Sequence, residues 1–327
     1  MTAQRLAVLG AGAMGRRIAD GAVRSGRFHV TAVVDPDPIR ARDLAERHGA
    51  VPFADVTDPR LAERVDAVYV GTPNGVRVEI CELAASAGWH LLIDKPMCGT
   101  LAEADTIAAL LDGTGLTWMI GFSYRFRAEW RRAQELIAAG LLGAPLLVCD
   151  VIVESSRDTP RWYWDDAAGG GVLQLQSHHC FDRVRWLLDR PITSVRCAVT
   201  RADATAEQAA VIAARLGSGA SLTVALGFAT TYEAPARTLF VAQGTDGMIQ
   251  IDDARAISIT DARGTRRETY VDDDWLVTEL RDFADAIAGS CTGYPSVADG
   301  RRALQTALEA ARSAASESAD GEDADHG

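Results

Sequence analysis

At 327 residues, 48% hydrophobic and 24% charged with a formal net charge of -12, the chain is long enough for two domains and can bury a sizeable core. The acidic balance, with no basic cluster bearing interleaved aromatics, disfavours a nucleic-acid partner, and no run approaches the ~20 uninterrupted apolar residues of a membrane span. Six cysteines without C-x-x-C spacing, and an N-terminus lacking a signal-peptide pattern, point to a soluble cytoplasmic protein with no disulfide framework, no metal site and no membrane contact.

The first 123 residues alternate short apolar runs with helical patterns. Strands are expected at Leu6–Leu9, Val30–Val34, Ala67–Val70, His90–Ile93 and Trp118–Phe122. Amphipathic helices are expected at Met14–Val23, Arg40–His48, Val76–Ala87 and Ala102–Leu111. Such alternation with short links gives a parallel sheet covered by helices. Beyond Phe122 the pattern changes. A helix at Glu129–Ala139 leads to a strand at Leu146–Val153, then to the polar aromatic stretch RDTPRWYWDDAAGGG and a helix around His179–Leu188. From Ile192 to Val271 strands follow at Val195–Thr200, Ala210–Leu216, Ser221–Gly227, Thr238–Gln243, Gly247–Ile251 and Ala256–Thr260, with LGSGA and GTDG as hairpin turns. Helices near Leu276–Ala288 and Val297–Ser316 close the chain. The fold class is α/β: a Rossmann domain with a doubly wound parallel sheet over 1–123, then an α+β substrate-binding and oligomerisation domain with an open, mostly antiparallel sheet over 124–316. The acidic residues 317–327 read as a disordered tail.

Three motifs carry chemistry. In G-A-G-A-M-G, directly after RLAVL, Gly10 permits a tight turn, Gly12 lets main-chain amides approach a pyrophosphate and Gly15 allows close helix–strand packing. Ala13 and Met14 complete the turn and open the helix. Asp35 ends the next strand about 20 residues later, as the dinucleotide fingerprint requires. Its carboxylate would accept hydrogen bonds from the adenosine ribose and repel a 2′-phosphate, favouring NAD over NADP, although Arg40 and Arg42 lie close enough to soften that preference. The second motif is Asp94-Lys95-Pro96 at a strand end, where ligands bind in such sheets. A lysine there can orient a substrate hydroxyl and move a proton, or simply be solvated. The third is Gly169–Gly171 followed by VLQLQSHHCFDRVRWLL. On helical spacing His179, Asp182, Arg183 and Trp186 share a face, and His179 could take a hydroxyl proton, whereas His178 reads as structural, with substrate contact the alternative.

The ordered set of motifs resembles the glucose–fructose oxidoreductase / inositol dehydrogenase / rhizopine-catabolism (Gfo/Idh/MocA) family from about Leu6 to Ala311. It comprises Gly10–Gly15 with Asp35, T-P-N at Thr72–Asn74, D-K-P at Asp94–Pro96, G-F-S-Y-R-F at Gly121–Phe126, G-G-G at Gly169–Gly171, and the H-x-x-D of His179 and Asp182. The resemblance implies NAD(P) in a cleft, with Thr72, Pro73, Asn74, Asp94 and Lys95 among the cofactor contacts. It also implies hydride transfer to or from a sugar, cyclitol or related compound, with Lys95 and His179 acting on the hydroxyl. Dimers or tetramers formed through the C-terminal sheet are implied as well.

Two departures stand out. Leu175 occupies the position of an acidic residue four before the histidine, and Arg77 the position of a histidine three after the asparagine. The first leaves Lys95 and His179 as a two-membered acid–base set. Substrate candidates are Tyr124 and Arg125 after the last Rossmann strand, and Trp162, Tyr163 and Trp164 before the glycines. Core packing and loop anchoring are the alternative for each tryptophan, and Arg125 could hold a substrate carboxylate or make a structural salt bridge. Beside the dehydrogenase reading stand two others: a glycoside hydrolase that oxidises its sugar transiently with bound NAD, and a non-catalytic NAD-binding regulator.

Overall fold

A helix between two short apolar strands can return the chain to the starting edge of the sheet, which lets the strands pair in parallel. The computed structural model describes residues 3–324 apart from 158, 160, 167–169, 203, 230 and 272. Its first part runs β1 (Gln4–Leu9), α1 (Ala13–Ser25), β2 (Phe28–Val34), α2 (Pro38–His48), β3 (Val51–Phe53), α3 (Pro59–Ala62), β4 (Ala67–Val70), α4 (Arg77–Ala87), β5 (His90–Ile93), α5 (Leu101–Leu111) and β6 (Trp118–Ile120). The six strands lie in the order β3-β2-β1-β4-β5-β6, every pairing parallel. The helix ends follow local rules. Asp37 caps α2 ahead of Pro38, and Thr100 with Glu103 forms a capping box on α5. The sequence reading misses β3 and α3; β3 is only three residues long and contains Pro52. It also carries the last strand to Phe122, where the observed β6 stops at Ile120.

The second part begins with α6 (Ala128–Ala138) and β7 (Pro145–Ser155), a 3₁₀ turn at Arg161–Trp164, then α7 (Val172–Leu175) and α8 (Ser177–Leu188). The strands β8 (Ile192–Thr200), β9 (Ala209–Leu216), β10 (Ser221–Ala229), β11 (Ala234–Gly244), β12 (Gly247–Asp252), β13 (Ala256–Asp261) and β14 (Gly264–Thr269) follow. Eight strands form one sheet in the order β14-β13-β12-β11-β7-β10-β9-β8, antiparallel except where β10 pairs with β7. Alternation divides its faces. Val148, Ile152, Ile212, Val224, Phe240 and Ala242 are buried, whereas Leu147, Val153, Val211 and Leu239 are exposed. Trp130 of α6 packs edge-on against Phe240 at 5.1 Å between ring centroids. Helix α8 is pinned to β7 by Arg183, which donates to both carboxylate oxygens of Asp150, and neither side chain has any solvent exposure. Stranding one member of such a pair typically costs about 3–5 kcal/mol, so the helix that carries His179 has one register on the sheet.

The chain ends with α9 (Trp275–Ile287) and α10 (Val297–Ala324). Contacts divide the molecule into two units, Met1–Phe126 with Asp274–Leu304, and Arg127–Asp273 with Gln305–Gly327. A linear reading puts 274–304 in the second domain. They belong to the first, because α9 lays Leu276, Leu280, Phe283 and Ala284 into the core formed by Ile18, Ala22 and Phe28. Phe28 and Phe283 stack at 5.6 Å. The backbone of α10 stays helical to Ala324, where a disordered tail is expected from 317; its alanines and glutamates are good helix formers, and 325–327 lie outside the described residues.

Candidate active site

In the first unit the turn after β1 is shaped by close approach. Gly10 has φ +91°, and a Cβ there would lie 2.7 Å from the carbonyl oxygen of Gly71. A Cβ on Gly15 would lie 1.9 Å from the carbonyl oxygen of Gly10, so neither position admits a side chain. Gly12 differs: a Cβ would meet nothing within 4 Å. As N-cap of α1 it offers no side-chain acceptor, and the first turn (Ala13, Met14 and Gly15) holds no acidic residue. The leading amides of a long helix therefore stand open, the arrangement a pyrophosphate needs. Thr72 Oγ1 is buried without a hydrogen-bond partner, a second feature suited to a polar ligand at this edge. These residues fit a dinucleotide.

Asp35 is buried, and its carboxylate is engaged on both oxygens. Oδ2 accepts from the amide of Ala11 at 2.8 Å, while Oδ1 accepts from the amide of Asp37 at 2.9 Å and from Arg40 Nη2 at 2.9 Å. The Ala11 bond ties the end of β2 to the glycine turn. Arg40 is half exposed and balances the charge that would repel a 2′-phosphate.

The ends of β4 and β5 carry the next cluster. Asp94 Oδ1 accepts from the Lys95 amide at 2.9 Å, and Oδ2 accepts from the Tyr69 hydroxyl at 3.2 Å. The Lys95–Pro96 peptide is cis. Arg77, at the start of α4, is buried and donates through Nε at 3.0 Å and Nη2 at 2.7 Å to the carbonyl of Thr72, and through Nη1 to the carbonyls of Asp94 and Pro96. The T-P-N segment and the D-K-P segment thus share one guanidinium. Burial pulls the Arg77 pKa down, opposed by Asp94, and pushes the Tyr69 hydroxyl well up. Glu279 of α9 is fully buried, with Oε1 lacking a partner; burial first, then the charges of Asp94 and Asp282, lift its pKa to about 8.

Tyr124 and Arg125 are both buried just after β6. Arg125 pairs with Asp299 at 3.3 Å, so its observed role is the structural salt bridge rather than an open carboxylate receptor.

In the second unit His178 is buried and His179 half-buried at the start of α8, and the His179 amide donates to the Gln176 carbonyl at 3.1 Å. Asp182 and Arg183 are fully within the core, while Trp186 is half-buried. Near the vacant acidic position at Leu175, the buried Gln176 donates to Glu154 at 2.6 Å, bringing a carboxylate from the end of β7. Glu207 caps the segment before α8, accepting from the amide of Leu173 at 2.9 Å, and a Cβ on Gly171 would strike its carboxylate. Gly169 and the side chain of Trp162 lie outside the described residues. Trp164 packs on Phe228 at 4.9 Å and donates to Thr159, which is loop anchoring.

Sequence reasoning passed over Glu154, Glu207, Glu279 and the clamp made by Arg77. It also passed over a plain compositional signal. Lys95 is the only lysine in the chain, so 32 of the 33 lysine and arginine residues are arginine. A guanidinium cannot give up its proton at accessible pH and an ammonium can, which sets Lys95 apart chemically from the 32 arginines.

Residues 4–122 match the family model described as oxidoreductase family, NAD-binding Rossmann fold, and residues 130–250 match the GFO/IDH/MocA C-terminal domain. The rhizopine catabolism protein MocA of Rhizobium meliloti is 30% identical over 62% of this chain and 62% of its own length, so that match spans less than two thirds of the relative. The inositol 2-dehydrogenase of Rhizobium meliloti is 25% identical over 95% of this chain and 97% of its own. The D-xylose 1-dehydrogenase (NADP(+)) 2 of Haloferax volcanii is 28% identical over 85% of this chain and 84% of its own. A levoglucosan dehydrogenase solved with NADH and levoglucosan shares the fold at a TM-score of 0.85 and 21% identity, covering 96% of this chain and 98% of that one.

The buried carboxyl of Glu279 makes stability depend on pH. Its folded pKa of about 8 lies above the 4.5 of an exposed glutamate, so the folded state holds an extra proton between those values. Stability from this group is full below the lower value and declines as pH rises towards the upper one. Glu279→Gln should therefore raise the urea midpoint at pH 8 and leave it nearly unchanged at pH 5. Equal effects at both pH values, measured by chemical denaturation, would refute the assignment.

Proposed function

This chain belongs to the GFO/IDH/MocA oxidoreductase family, with its NAD-binding Rossmann fold and its C-terminal domain, and on that premise we propose that it moves a hydride between NAD and a carbinol or carbonyl carbon of a sugar, cyclitol or related compound. The observation that carries the reading is the collection, at the carboxyl edge of one parallel sheet, of an open glycine turn, Asp35, the buried Thr72 hydroxyl and the chain's only lysine. The names of relatives that act on xylose and inositol support the substrate class.

When bound, the nicotinamide supplies the hydride acceptor or donor. The remaining work falls to side chains. Gly10, Gly12, Ala13, Met14 and Gly15 cradle the pyrophosphate, Asp35 takes the ribose hydroxyls, and Thr72, Pro73 and Asn74 line the path towards Asp94 and Lys95. Lys95 donates a hydrogen bond to the reacting oxygen, and His179 takes its proton during oxidation and returns it during reduction. We assign the protein to the cytoplasm, where its six free cysteines suit a reducing compartment. A second copy covers the apolar sheet face of Leu147, Val153, Val211 and Leu239, giving a dimer or tetramer.

His179→Ala should lower turnover by about 10²–10⁴ with NAD affinity nearly unchanged, and Lys95→Ala should lose both turnover and substrate affinity. Net NADH formation against a panel containing myo-inositol, D-xylose and levoglucosan is the measurement. A stable His179→Ala protein with most of its turnover would end the mechanism. In calorimetry NAD should bind at least about tenfold tighter than NADP, and Arg40→Leu should widen that gap because Asp35 loses its counter-charge. Equal affinities would remove Asp35 from the ribose. Light scattering should show an oligomer at micromolar concentration that Val211→Glu converts to monomer; a monomeric parent chain would rule out the sheet-face assembly.

A further inference from the structure

We propose that Arg77 is a positioning residue for Lys95: its guanidinium locks the segment that receives the nucleotide and the segment that presents the amine into one rigid piece, and holds a fixed positive charge behind the lysine. The proposal rests on the reading of Lys95 as the group that meets the reacting oxygen.

Arg77 lies at the first position of α4 with 4% of its surface exposed. Each of its four hydrogen bonds ends on a main-chain carbonyl. Two converge on Thr72 and two reach Asp94 and Pro96, the residues on either side of Lys95. Burying a cation is costly, and a buried arginine that served only stability would be expected to lie against a carboxylate. Here the fork is spent on two loops from two different strands. A lysine could not substitute for it, because a single nitrogen cannot reach carbonyls on both sides of the gap, whereas a planar guanidinium offers five donors. With both flanking carbonyls held, the backbone of Lys95 has little freedom to turn its side chain away from the cofactor edge.

The charge matters as well as the bonds. The ionisable groups around this loop are Asp94 beside it, Tyr69 on β4, Arg77 and Cys81 on α4, Cys98 beyond Pro96, and Glu279 on α9. Burial keeps the two thiols and Tyr69 neutral through the physiological range. Arg77 and Asp94 are then the opposed charges at neutral pH. Removing Arg77 deletes a repulsion and exposes Lys95 to an uncompensated Asp94, and both changes favour the ammonium.

The composition provides the test. In the full-length protein, lysine labelled with ¹³C and ¹⁵N gives one side-chain resonance, from Lys95. Its titration is followed between pH 7 and 11 for the parent protein, Arg77→Met and Arg77→Lys, with NADH affinity measured by fluorescence on the same samples. In Arg77→Met the Lys95 pKa should rise by about one unit, and NADH should bind roughly tenfold more weakly as the Thr72 segment is released. In Arg77→Lys, whose added resonance is assigned by difference, the Lys95 titration should stay near that of the parent while NADH affinity still falls. An unmoved Lys95 titration in folded Arg77→Met overturns the proposal. Should that variant not fold, parental NADH affinity in Arg77→Lys overturns it instead. Neither readout uses a sugar, so a wrong substrate class would leave this result standing, whereas a wrong Arg77 assignment would leave turnover by Lys95 and His179 untouched.

Discussion

Parallel pairing is the constraint from which the first unit follows. Because every strand from β3 to β6 runs the same way, the segments after Leu9, Val34, Val70, Ile93 and Ile120 all emerge at one edge. Those segments are the glycine turn, Asp35, the T-P-N run, the D-K-P run and Gly121. None of them is near another in sequence. The sheet brings them together without any residue having been selected to do so, and selection then acts on which side chains the edge carries. Helix α1, with no side-chain cap, adds open amides at the same edge, which is why a phosphate-bearing ligand suits it.

The two units bury charge in different ways. In the second, Arg183 and Asp150 meet across α8 and β7 with no exposure, an ion pair whose effect is to fix register. In the first, the buried Arg77 faces carbonyls, Asp94 serves the Lys95 amide and the Tyr69 hydroxyl, and Glu279 avoids charge by keeping its proton at neutral pH. An open cluster of donors, acceptors and a protonated carboxyl responds to whatever charge approaches it, and that is a property of sites rather than of scaffolds.

The strands β4 and β5 were legible to the residue, because the short runs AVYV and HLLI between turn signals admit few other readings. The glycine turn was legible because it needs backbone freedom that only glycine gives at Gly10 and space that only glycine leaves at Gly15. What stayed hidden was non-local. Nothing beside Arg77 in sequence shows that its partners lie 5, 17 and 19 residues away. Glu279 reads as an ordinary charged helix position, and its burial depends on packing that no window of sequence contains. The lone lysine was visible throughout, and only a count over the whole chain, not a motif, reveals it.

The return of α9 to the first unit has a consequence for how such a protein can be taken apart. A nucleotide-binding cassette cut after Phe126 would contain all six parallel strands and would still lack the helix that covers Ile18, Ala22 and Phe28. Its surface would carry an apolar scar where Leu276, Leu280 and Phe283 belong, a patch prone to aggregation. The cassette is therefore not a contiguous stretch of coding sequence. Grafting it onto another catalytic module requires Met1–Phe126 and Asp274–Leu304 to travel together, although the second unit separates them in sequence.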